Sequence, residues 1–101
     1  MSLVAFFDEP TPVWGNSVER EVWRRIRLSV AAYAYEYLDE PIMSDAEFDK
    51  MCQEVNLKID TGNKKMDNFF KKHFDPSTGQ WIRKHPELNK IADRYERYHK
   101  K

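Results

Sequence analysis

From residue 17 onward, apolar positions recur at helical spacing and are interrupted at intervals by turn-forming residues. Val18, Val22, Trp23, Ile26, Val30, Tyr33, Ala34 and Tyr37 stand three or four residues apart, which predicts one amphipathic helix of roughly six turns. Ser17 is placed to cap it, with Arg20 where a glutamate would complete a capping box, and Glu19 suits the positive end of the helix dipole. The helix must stop before Pro41, because the residue preceding a proline is pushed out of the helical region. A second helix opens at Ser44, with Glu47 completing a capping box. Phe48, Met51, Cys52 and Val55 form its apolar stripe, which reaches Ile59 if the helix runs that far.

Asp60-Thr61-Gly62-Asn63 marks a turn, and Lys64–His73 predicts a third helix with Met66, Phe69 and Phe70 facing inward. A second turn follows at Asp75-Pro76-Ser77-Thr78-Gly79, and Gln80–Arg83 reads as an extended stretch. Pro86 suits the first turn of a last helix carrying Leu88, Ile91, Ala92, Tyr95 and Tyr98. The fold class is therefore all-α, a small bundle of about four helices. The short connection Asp39–Met43 makes helices one and two an antiparallel hairpin, and Trp23, Ile26, Val30, Phe48, Met51 and Val55 should be buried.

Ahead of the bundle, Leu3–Phe7 is an apolar patch ended by Asp8 and Glu9, with Pro10 and Pro12 breaking any helix. Without a basic flank and only five residues long, it is neither a signal peptide nor a membrane span, and reads as an arm packed on the helical body. A chain of 101 residues suits one domain with a radius of gyration near ~13 Å.

Seventeen basic residues balance seventeen acidic ones, so no global field recruits nucleic acid or an anionic membrane. Basic clusters at Arg20–Arg27, Lys64–Lys72 and Arg94–Lys101, interleaved with Trp81, Tyr95 and Tyr98, read as solvated faces more readily than as a nucleic-acid platform. Cys52 stands alone, which fits a reducing cytoplasm and a small core hydrophobe. His73, His85 and His99 lack the spacing of a metal site, so no metal ligand and no catalytic residue is assigned.

Chemistry concentrates in residues 33–55, YAYEYLDEPIMSDAEFDKMCQEV. Tyr33, Tyr35 and Tyr37 alternate along one helix and cannot all face one way, leaving Tyr35 off the main stripe. Asp45 and Asp49, four residues apart, share a helix face. Capping and dipole electrostatics explain Asp45, and simple exposure explains Asp49; equally, two carboxylates and an aromatic face suit a cationic ring.

The order of these residues resembles the small N-terminal helical domain of bacterial NAD-dependent DNA ligases, whose pattern is roughly Tyr-x-Tyr-(His/Tyr)-x-x-Asp-x-Pro-x-(Ile/Val)-(Ser/Pro)-Asp-x-x-Tyr-Asp. In that family the domain clamps the nicotinamide mononucleotide half of NAD while a neighbouring nucleotidyltransferase domain is adenylated. Lys84-His85-Pro86-Glu87-Leu88 also looks like the run that follows the paired helices in many of these ligases, here after an extra segment. The resemblance thus implies one domain with an arm (1–16), a ligase-like helix pair (17–59) and a divergent helical part (60–101).

The resemblance implies a ligand, NAD or nicotinamide mononucleotide, held by Tyr35, Glu36, Asp45, Phe48 and Asp49. Tyr35 matches the aromatic that stacks near the nicotinamide, and Asp45 and Asp49 match the two ligand-binding carboxylates. Glu36 replaces a histidine that faces the phosphate, so it should repel that group; Phe48 keeps a tyrosine's ring and loses its hydroxyl. No enzyme is implied, because the catalytic body is absent. Lys58-Ile59-Asp60-Thr61-Gly62 matches the ligase Lys-x-Asp-Gly motif only superficially, an inserted threonine spoiling the spacing. The reading is a stand-alone ligase N-terminal-like domain that binds a nicotinamide-type ligand or keeps the fold in a non-catalytic role. The alternative is an interaction protein of phage or prophage type, binding another protein, such as a ligase body supplied separately, or nucleic acid.

Overall fold

Helix α1 (Ser17–Leu38) starts from a cap one residue earlier than its apolar pattern implies. Asn16 is the N-cap: its side chain accepts from the Glu19 amide at 2.8 Å, and Glu19 Oε1 accepts from the Asn16 amide at 3.0 Å. With the frame moved back by one, Glu19 and not Arg20 occupies the reciprocating position, so the capping box is complete. The computed structural model describes residues 16–99; the Leu3–Phe7 arm, Lys100 and Lys101 lie outside the described residues.

At its other end α1 stops at Leu38, before Pro41 as expected, on Asp39 in the left-handed region (φ 53°). Helix α2 (Asp45–Glu54) is capped by Ser44, whose Oγ accepts from the Glu47 amide at 3.1 Å. It does not continue to Ile59: Val55 is extended, and the Asn56 amide donates to Glu21 Oε2 of α1 at 3.1 Å. Helix α3 (Lys64–His73) follows an Asx turn in which Asp60 accepts from the amide of Gly62, itself at φ 85°.

Gln80–Lys84 is a 3-10 helix and not the extended stretch its sequence suggested. The Trp81 indole N–H donates to the Thr78 carbonyl at 2.7 Å, and this tight coil buries Trp81 and Ile82 together, which an alternating strand would not do. The last helix, α4 (Leu88–Tyr98), begins after Pro86 instead of including it, with His85 Nδ1 accepting from the Glu87 amide at 3.0 Å. No strand occurs among the described residues. Helix α1 is the hub, packing against α4, the 3-10 helix and α2. The Cα radius of gyration, 12.8 Å, is that of one compact domain.

The face of α1 that enters the core differs from the one the apolar pattern picks out. Glu21, Arg25, Leu28, Ser29 and Ala32 are buried to 1% exposure or less, whereas Val18 and Tyr37 are exposed and Trp23 and Ile26 only half-buried. Of the six expected core residues, Val30 and Met51 are buried; Trp23, Ile26, Phe48 and Val55 pack at its margin. The core is completed by Ala31 and Ala34 of α1 and by Cys52, Met66, Phe69, Phe70, Trp81, Ile82, Ile91 and Tyr95, so α3 faces inward as predicted.

The charged residues on that face are fully employed. Arg25 Nε donates to Glu21 Oε2 and Nη1 to Asp67 Oδ1, both at 2.8 Å; Nη2 reaches the carbonyls of Asn56 at 2.8 Å and Ile59 at 3.3 Å. Asp67 in turn accepts from the Thr61 hydroxyl and amide, and Arg24 pairs with the other Glu21 oxygen. The network ties α1 and α3 to the helix-free segment between α2 and α3, whose backbone groups have no helical partners to use.

Candidate functional site

The end of α1, the Pro41–Met43 connection and the start of α2 form two walls of a cleft of about 400 Å³. Its third wall is the Ser77–Gln80 turn leading into the 3-10 helix. All five residues singled out in the sequence, Tyr35, Glu36, Asp45, Phe48 and Asp49, line this one cleft. Their convergence has local causes. The left-handed residue Asp39 ends α1, and the Ser44 cap sets α2 so that Asp45, Phe48 and Asp49 share one side.

Tyr35 is 55% exposed, with its ring available at the cleft wall. Asp45 and Asp49 are exposed, and among the described residues neither carboxylate has a hydrogen-bond partner. Phe48 is half-buried, and its para carbon is the ring atom nearest Gly79: a Cβ on that glycine would lie 3.5 Å from it and 3.5 Å from Ala32 Cβ. The position where a tyrosine carries its hydroxyl is thus turned toward the third wall, and the ring is used to close the cleft's base.

The charged side chains lining the cleft are all acidic: Glu36, Asp45 and Asp49. A fourth acid, Asp75, lies two residues ahead of the third wall and is not part of the lining. Its carboxyl is held below the usual range by the amide and hydroxyl of Ser77, which outweigh the small opposing effect of desolvation. Behind α2 the same charges act on Cys52, which is buried. Desolvation first, then the fields of Asp49 and Asp75, push its thiol up to about 12, so it is a neutral core group and no nucleophile.

Glu36 is not alone. Arg83 of the 3-10 helix donates from Nε to Glu36 Oε1 at 3.3 Å, with Nη2 also 3.3 Å from that oxygen, and its guanidinium lies 5.5 Å from the Tyr37 ring centroid. Sequence reasoning missed Arg83 and the whole Ser77–Gln80 wall. The turn residues Asp75–Gly79 are visible in the sequence, but nothing local says which helix they are laid against. Among the described residues no group of His, Cys, Asp and Glu could hold a metal ion, and no helix is long and apolar enough to cross a membrane.

The arrangement offers a ring face, an acidic rim and an apolar base of Ala31, Ala32, Ile42, Met43 and Phe48. Such a site favours a flat cation of small-ligand size. No known protein-family model matches the sequence, and no solved structure matches the chain.

Proposed function

We propose that this chain is a helical domain of the ligase N-terminal type whose cleft binds a nicotinamide-type ligand, the nicotinamide mononucleotide moiety of NAD. What carries the reading is one observation: the five positions picked out by the resemblance line a single cleft of about 400 Å³ whose charged lining is wholly acidic. The volume falls within the range typical of small-molecule sites. A pyridinium ring set against Tyr35 would be stabilised by the ring quadrupole and by Asp45 and Asp49, each favouring positive charge.

A ligand-observed NMR titration with nicotinamide, nicotinamide riboside, nicotinamide mononucleotide and NAD tests this directly. Saturable binding is expected for the cationic compounds, weakened roughly three- to tenfold by Tyr35→Ala, Asp45→Asn or Asp49→Asn, which corresponds to about 0.6–1.4 kcal/mol each. If none of the four compounds binds saturably even at millimolar concentration, the nicotinamide reading is wrong and the fold serves another partner.

A further inference from the structure

We infer that Arg83 is the phosphate anchor of this cleft and that Glu36 holds its guanidinium in waiting; the inference rests on the nicotinamide reading. Glu36 alone would make its part of the cleft hostile to an anion, as its sequence position suggests. The 3-10 helix changes that by laying an arginine across the carboxylate.

The geometry of the pair is that of a replaceable contact. Its nitrogen–oxygen distances are both 3.3 Å, longer than the 2.7–2.9 Å of a tight charge-assisted bond, and both fall on one oxygen. The Arg83 side chain is 58% exposed while Glu36 is 13% exposed, so the cation is the more solvated partner. Among the described residues its Nη1 edge has no acceptor. Arg25 offers the contrast: buried, with Nε, Nη1 and Nη2 all committed to the protein. The Tyr37 ring beneath Arg83 keeps the guanidinium near α1 without consuming its in-plane donors. A planar fork with free donors matches two phosphate oxygens, and a phosphate dianion competes well against one carboxylate oxygen.

A ligand with a cationic ring and an anionic phosphate is then oriented by opposite charges. The ring goes to Tyr35, Asp45 and Asp49, and the phosphate to the Glu36 end of the cleft, where Arg83 turns onto it. Nicotinamide mononucleotide should bind more tightly than nicotinamide riboside, the reverse of what Glu36 by itself would give.

The test is the ratio of those two affinities, measured by NMR titration at low salt for the unmodified protein, Arg83→Gln and Glu36→Gln, with thermal melts by circular dichroism confirming that each variant is folded. The unmodified protein should favour the mononucleotide by about three- to tenfold. Arg83→Gln should bring the ratio to one or below, because Glu36 then meets the phosphate unpaired; Glu36→Gln should raise it, because the guanidinium is released. Saturable riboside binding with a ratio that Arg83→Gln leaves unchanged would overturn the anchor and leave the cleft reading standing. Absence of binding by either compound would overturn both.

Discussion

Replacing Arg25 with methionine keeps an unbranched apolar stem and removes the guanidinium, with its charge and its donors. The side chain is 1% exposed and holds Glu21, 0% exposed, and Asp67, 6% exposed, with the carbonyls of Asn56 and Ile59 on its third nitrogen. Glu21 would retain Arg24 and the Asn56 amide, and Asp67 would retain Thr61, but Asp67 would lose the guanidinium paired with it and Glu21 one of its two. Removing one partner of a buried pair costs about 3–5 kcal/mol, against a total stability of about 5–15 kcal/mol for a domain of this kind. Urea denaturation followed by tryptophan fluorescence should show the midpoint falling by roughly 2 M if the slope stays near ~2 kcal/mol/M. The deficit should also depend on pH. Desolvation pushes the Asp67 carboxyl up, but hydrogen bonds from the Thr61 hydroxyl and amide, the Asp60 contact and the Arg25 charge more than offset it, and the group lies below its ordinary value. A depressed carboxylate stabilises the fold above the unfolded value near ~4 and loses that contribution as pH falls through the folded one. Because the variant lacks Arg25's share, its deficit should be largest at pH 7 and shrink toward pH 3. A loss below about 1 kcal/mol at pH 7 with an unchanged slope would refute the view that this network holds the helices to the 55–61 segment.

Leu28→Ala should destabilise by about 2–5 kcal/mol and exceed Trp23→Ala in the same urea assay, because Leu28 is wholly buried while the half-buried Trp23 ring lies at the margin beside the Arg27 guanidinium. The opposite order would put the core on the apolar stripe. Asn16→Ala should cost about 1 kcal/mol and Ser17→Ala less than about 0.5 kcal/mol, checked by thermal melts; equal costs would move the cap. Cys52, with its thiol pushed up to about 12, should resist a disulfide reagent at pH 8 in the native protein and react at once in denaturant. Fast native labelling would mean that α2 opens readily.

The third helix, the two turns and the Ser44 cap were legible because their signals are local: a cap, a turn dipeptide or a stripe acts within a few residues. The phase of α1 was not. Periodicity assigns the inward face to the most apolar residues, and Glu21 and Arg25 look like solvent residues until a carboxylate from α3 and two loop carbonyls arrive to satisfy them. Each supplies what the other's desolvation requires, across 42 residues of sequence in the case of Asp67. The same cause stopped α2 short, since the amide that would have continued it is bound by Glu21. The orientation of the 3-10 helix also depended on distant company, because Trp81 and Ile82 are both drawn into a core that α3 and α1 have already built.

Legibility at the cleft divides along the same line. Two walls lie within residues 31–49, so their ring, carboxylates and cap could be read from a single stretch of chain. The third wall comes from residues 77–80, some thirty residues further along the chain, and it alters the chemistry of the other two. It meets Phe48 at the para position, and the 3-10 helix that follows it carries Arg83 onto Glu36. Phe48 and Glu36 therefore both meet the 77–84 segment. Glu36 and the segment laid against it form one local solution: the 3-10 helix sets a positive group on the carboxylate from the opposite side, so the net charge at that end of the cleft is set by the pair and not by Glu36 alone.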